Sequence, residues 1–180
     1  MLTPPSPPIK LLWIAVPTRA AGSNVGIGLA AAKALTQKGA TVIVASRDAR
    51  KVAAAVRELG PNARGEVVDL ASFASIDAFA ARVRAAHPRV DVLINNAGVF
   101  LPPHVKTPEG FEVTLGVNTI GTAHLTNLLL PLIAASPEGR IVSLSSSMGE
   151  SSQSLVYERA LRLSSDSIFS SSHFRLQLIL

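Results

Sequence analysis

The chain contains no cysteine, which excludes a disulfide framework and all thiol chemistry. It has a single tyrosine, Tyr157, and no lysine after Lys106. Any chemistry in the last third that needs a phenol must therefore use Tyr157, and no ammonium is available nearby. Long hydrophobic runs are also missing. The stretch Leu11–Val16 is six residues long and ends at Pro17, too short for a signal-peptide core or a membrane span. The run Leu128–Ala135 is broken by Pro131. The net charge is +5, but the basic residues are scattered and form no patch of the kind that reads nucleic acid. A soluble, cytoplasmic protein with no nucleic-acid partner, no membrane span and no metal site is the default expectation.

What is present suits one globular domain. The chain has 180 residues, 48% of them apolar, enough for a real core. Residues 1–9 hold four prolines and are expected to form a disordered arm. Residues 10–150 then form the domain, and 151–180 a degenerate C-terminal segment in which serines abound and helical periodicity fades. The terminal run Phe174–Leu180 is apolar, with no sequence neighbour to pair with.

Within the domain, strand and helix signals alternate. Leu11–Val16, Thr41–Ala45, Gly65–Val68, Val90–Asn95 and Arg140–Ser145 read as strands. Gly26–Lys38 reads as a helix ended by Gly39, and Asp48 as the N-cap of a helix that runs to Leu59 and stops at Gly60-Pro61. Ser75–His87 carries Ile76, Phe79, Ala80 and Val83 at helical spacing. Phe111–Ala135 is largely helical, with Pro131 bending or dividing it. Buried strands separated by helices imply an α/β fold, a doubly wound parallel sheet whose ligand crevice lies at the carboxyl ends of the strands. Ending after about five strands, the sheet would leave its fifth as an open edge, which the tail could cover or which could invite association.

Several residues are candidates for a nucleotide site. Gly22, Gly26 and Gly28 lie between a strand and a strongly helical LAAAKAL segment, where backbone N–H groups can approach a diphosphate. Arg47 follows the second strand and favours the 2′-phosphate of NADP, with NAD the lesser alternative. Asp48 beside it either caps the helix or bonds ribose hydroxyls. Asp69 is a ligand contact or an ordinary turn residue. Asn95-Asn96-Ala97-Gly98, directly after a buried strand, suits a tight backbone beside a ligand, or a brace for the sheet.

The ordered set Gly22-Ser23-Asn24-Val25-Gly26-Ile27-Gly28, Asp69-Leu70, Asn95–Gly98, Asn118, and Arg140-Ile141-Val142 running into Ser145-Ser146 resembles the short-chain dehydrogenase/reductase family over roughly residues 22–147. The resemblance implies a Rossmann-type fold and an NADP(H) site drawn from Gly22, Ser23, Asn24, Gly26, Ile27, Gly28, Arg47, Asp69, Leu70, Asn96, Ala97 and Gly98. It also implies catalysis of carbonyl–alcohol interconversion through Ser146, Asn118 and Tyr157, with Ser145 and Ser147 competing for the serine's place. The segments TPEGFEVTLGVNTIGTAHLTNLLLPL and DLASFASIDAFA look most like the retinol-dehydrogenase-like branch, which acts on lipophilic small molecules. The family also leaves room for a homo-oligomer.

Two departures stand out. The family's first strand runs straight into its first glycine, whereas Pro17–Ala21 intervene here. Its tyrosine is followed four residues later by a lysine that lowers the phenol pKa, and here that position is Leu161. Position i+3 is Ala160, and Arg159 and Arg162 fall on other faces of a helix. Tyr157 then reads equally as an ordinary aromatic residue. A non-catalytic nucleotide-binding or interaction module, or a truncated gene product, is the competing expectation.

Overall fold

In the computed structural model, residues 10–14, 27–100, 104–144 and 175–179 are described, and of 10–14, Ile27 and 175–179 only the backbone. Six strands alternate with helices in the order β1 (Lys10–Ile14), α1 (Ile27–Gln37), β2 (Thr41–Ser46), α2 (Ala49–Leu59), β3 (Ala63–Val67), α3 (Phe73–Ala86), β4 (Val92–Asn95), α4 (Val113–Leu115), a π turn (Gly116–Gly121), α5 (Thr122–Ala134), β5 (Arg140–Leu144) and β6 (Arg175–Ile179). The sheet order is β3-β2-β1-β4-β5-β6, and every pairing is parallel.

Strand alternation builds two cores. Val42 and Val44 of β2, with Ile94 of β4, pack against Ala32 and Leu35 of α1 and Leu59 of α2. On the other face Ile43, Ala45, Leu93 and Ile141 pack against Ile76, Phe79 and Val83 of α3 and Leu125, Leu129 and Ile133 of α5. Both faces of the sheet are thus covered, which is why its strands read as continuous apolar runs rather than alternating ones.

Local chemistry sets the helix ends. Gly39, at φ +85°, ends α1 where an L side chain would be strained. Asp48 caps α2, accepting from Arg50 N and Lys51 N. The Ser72 side chain caps α3 by accepting from Ser75 N. Glu112 caps α4 with both oxygens, Oε1 accepting from Thr114 N and Oε2 from Leu115 N, each at 2.8 Å.

The structure corrects one expectation and decides another. Pro131 does not divide the long helix, because α5 runs unbroken from Thr122 to Ala134. Pro131 lies on the exposed face, three residues before the helix end, where water can serve the carbonyl its missing N–H leaves unpaired. The irregularity sits instead at Gly116–Gly121, where the backbone widens into a π turn. Of the two courses the sequence leaves open for the tail, covering the fifth strand or inviting association, the structure shows the first: the tail supplies β6, pairing with β5 from Arg140↔Arg175 to Leu144↔Ile179. The β5 edge is therefore covered by the chain's own last strand.

Partial burial works against the charge of Glu112, but the amide donors of Leu115 and Thr114 outweigh it and hold its carboxyl below the usual carboxylate range. A depressed pKa contributes stability that is present above the unfolded value and lost as pH falls through the folded one. Chemical denaturation of the wild type and Glu112→Gln should show a stability gap that is constant above the ordinary glutamate value of about 4.3 and closes as pH falls through the lowered one. A gap independent of pH would show that the capping charge contributes nothing.

Candidate functional site

Parallel pairing aligns the carboxyl ends of the strands into one crest. Glu66, Ala45, Ile14, Asn95, Ser143 and Leu178 form a single row across the sheet. The winding direction reverses at β1, which lies between β2 and β4, and the crest above that reversal is where such sheets bind ligands. Ile14 of β1 sits in this row, so the connection to α1 through residues 15–26 starts at the crevice. Gly22, Ser23, Asn24 and Gly26 lie outside the described residues. Ile27 opens α1, and Gly28 is buried in its first turn.

On one side of the reversal stands the end of β2. Ser46 is buried, and its Oγ accepts from Asp48 N at 3.4 Å. Asp48 spends Oδ1 on the α2 N–H groups, at 2.9 Å to Arg50 and 3.3 Å to Lys51. The Lys51 amide leads in holding its carboxyl below the usual range. Arg47, between these two anchored residues, is exposed and makes no hydrogen bond or ion pair with the described residues. The adjacent charges have thus separated: the carboxylate stabilises the helix, and the guanidinium has no partner among the described residues.

Beyond β2, the loop after β3 is tied down on several sides. Asp69 N donates to Ser75 Oγ at 2.9 Å, Asp69 Oδ1 accepts from Ala71 N at 3.0 Å, and Asp69 O accepts from Ser72 N at 3.1 Å. Asp69 remains half-buried at the crest. Leu70, at 2% exposure, sends its side chain into the core, so any ligand contact it makes is through its backbone. Glu109 Oε1 accepts from Phe73 N at 2.7 Å, pinning the excursion before α4 onto the start of α3.

On the other side, Asn95 donates through Nδ2 to Thr126 Oγ1 at 3.2 Å and Ser143 Oγ at 3.3 Å. Its buried side chain ties β4 to α5 and β5, and it commits Ser143. Asn96 is half-buried and makes no hydrogen bond with the described residues. Ala97 packs on the core from its rim. A Cβ placed on Gly98 would meet nothing within 4 Å. Val99, next along, is held at both backbone groups: its N–H donates to Asn118 Oδ1 at 2.8 Å, and its C=O accepts from Asn118 Nδ2 at 2.9 Å. Asn118 lies in the π turn, and both its amide oxygen and its amide nitrogen are engaged in this clamp. Of the residues expected in catalysis only Asn118 is described; Ser146 and Tyr157 lie outside the described residues.

Arg47, Asp69, Asn96, Ala97, Gly98 and Asn118 therefore come from four separate chain segments to one end of one sheet. The sequence pattern of the short chain dehydrogenase family matches residues 20–158. The chain belongs to that family. Its relatives include retinol dehydrogenase 13 of Mus musculus, 45% identical over 130 residues, which make up 69% of this chain and 39% of that protein. Human retinol dehydrogenase 14 is 41% identical over 145 residues, covering 71% of this chain and 43% of that protein. The chain thus spans about two fifths of the length of these curated relatives. Among solved structures, a short chain dehydrogenase from Shigella flexneri complexed with NADP superposes with a TM-score of 0.70 at 25% identity, over 92% of this chain and 74% of that one. A protein from Mycobacterium paratuberculosis is 37% identical with a TM-score of 0.63, over 77% of this chain and 46% of that one.

Sequence reading missed the supports of this family site: the π turn with its two bracketing glycines, the Glu109 link to α3, and Thr126 beneath Asn95. The signal available for the first was the spacing Gly116-Val-Asn-Thr-Ile-Gly121, with the asparagine between two glycines five residues apart. Among the described residues no helix is long and apolar enough to cross a membrane.

The clamp makes a graded prediction. Asn118→Leu keeps the volume but leaves the Val99 N–H and C=O unpaired, and should cost about 1–3 kcal/mol in urea denaturation. Asn118→Asp retains the acceptor for the N–H but turns a second oxygen toward the Val99 carbonyl. It should also destabilise, and more at neutral pH than at acid pH. A neutral effect of both would show that the pair of bonds is dispensable.

Proposed function

We propose that this chain forms the cofactor-binding part of an NADP(H)-linked short-chain dehydrogenase acting on a lipophilic alcohol or carbonyl compound. The observation that carries the reading is the separation of Arg47 from Asp48. A carboxylate free to bond ribose hydroxyls would favour NAD. Here that carboxylate is committed to the α2 amides, while Arg47 is exposed beside them, suited to a 2′-phosphate. The NADP complex of the Shigella protein and the retinol dehydrogenase names of the relatives support the same assignment.

In this reading the amides of Gly22, Ser23, Asn24, Gly26, Ile27 and Gly28 hold the diphosphate against the positive end of α1. Asp69 and the Leu70 backbone border the adenine, and Asn96, Ala97 and Gly98 give the cofactor close passage over the crest. Bound NADPH supplies the hydride. Ser146 would orient the carbonyl oxygen and Tyr157 would hold the proton, while Asn118 keeps the loop after β4 in register. Binding isotherms should show NADPH tighter than NADH. Arg47→Ala should weaken NADPH by about 10- to 100-fold, the loss of a charged hydrogen bond, and leave NADH nearly unchanged. Equal losses for both cofactors would refute the 2′-phosphate role.

A second reading rests on Leu161, which stands where the family's lysine would lower the phenol pKa. A phenol without that aid has a pKa near ~10 and is a poor acid–base group at neutral pH. The chain would then bind the cofactor without turning it over. NADPH oxidation across a carbonyl panel, abolished in Tyr157→Phe, would establish the enzyme. NADPH at a hundredfold excess over its dissociation constant adding about 2.7 kcal/mol of stability, with no oxidation of any carbonyl, would establish the binding module.

A further inference from the structure

Gly121 closes the π turn, and an added Cβ there would lie 2.0 Å from the carbonyl oxygen of Leu70 and 3.1 Å from its carbonyl carbon. The obstacle is backbone, so no side-chain rotation relieves it. The loop cannot retreat freely either, because Asp69 N is held by Ser75 Oγ, Ala71 N by Asp69 Oδ1, and Phe73 N by Glu109. Three residues before Gly121, Asn118 holds Val99 in the loop after β4. One six-residue turn therefore fixes the distance between the loops at the ends of β3 and β4, on either side of the crevice.

We infer that Gly121 is a positioning residue for the cofactor: its bare backbone seats the Asp69–Leu70 segment at the height the adenosine half requires, without touching the ligand. The inference rests on the NADP(H) reading above. Gly139 provides an internal control. A Cβ there would lie 2.1 Å from the Ile133 carbonyl oxygen, an equivalent collision with backbone, but at the far end of α5, beside the start of β5 and away from the crest.

The full-length chain, Gly121→Ala and Gly139→Ala are to be compared by urea denaturation, by binding of NADPH and of 2′,5′-ADP, and by amide hydrogen exchange. Both variants should lose stability through overpacking. Only Gly121→Ala should raise the dissociation constants of NADPH and 2′,5′-ADP, by about tenfold, and speed exchange at residues 69–73. Should Gly121→Ala not fold, Ser75→Ala releases the Asp69 N–H and loosens the same segment more gently, and should weaken NADPH in the same sense. Weakening by both glycine variants alike, or by neither, or unaltered exchange at 69–73 in Gly121→Ala, would overturn the inference. A wild type that binds no NADPH would instead overturn the cofactor reading, with the exchange comparison still deciding whether Gly121 seats the loop.

Discussion

Asn118 holds Val99 by both of its backbone polar groups, and the crest of the sheet takes its shape from that pair of bonds. A side-chain amide here does the work of a neighbouring strand, satisfying an N–H and a C=O just where β4 has ended and no ladder remains. The arrangement requires the asparagine to project at one height and angle, and the π turn provides this. Gly116 allows the turn to pass the Thr107 methyl, and Gly121 allows it to pass the Leu70 carbonyl. Beneath it Asn95, Thr126 and Ser143 join β4, α5 and β5 through partly buried polar contacts. In a low-dielectric setting such contacts fix geometry as much as they stabilise it.

The most legible parts of the sequence were those governed by local chemistry. Asp48 and Gly60 marked both ends of α2, because a cap is formed within a few residues of the helix it ends. TVIVA marked β2, because a strand covered on both faces is a continuous apolar run. Arg47 and the Asn95–Gly98 segment, each read as following a buried strand, do stand at the carboxyl ends of β2 and β4, while Gly22 and Gly26 lie outside the described residues. The hidden parts depend on distant partners. Asn118 and Val99 are 19 residues apart, and Glu109 reaches Phe73 across 36. A π turn has no composition of its own, whereas Pro131 is conspicuous in sequence but has its cost met at an exposed face. The pairing of β6 with β5 was legible only as one of two courses for the tail, since a parallel partner need share no turn with its neighbour.

Arg47 and Asp48 show how context divides two adjacent charges. Read as sequence, either could face a ribose. Folded, the aspartate meets two amides at a helix start, where a negative charge is favoured twice, by hydrogen bonding and by the peptide dipoles. Among the described residues the arginine has nothing comparable to draw it in. A bound anion at this corner therefore need not displace Asp48, its neighbour in sequence, to reach the guanidinium.

The parallel course of β6 has its own consequence. Two parallel neighbours cannot be joined by a tight turn, so the pairing of β6 with β5, Arg140↔Arg175 to Leu144↔Ile179, closes a long loop. The entropy of closing a loop grows only slowly with its length, so the ladder contacts of β6 meet a cost that depends little on how many residues separate the two strands.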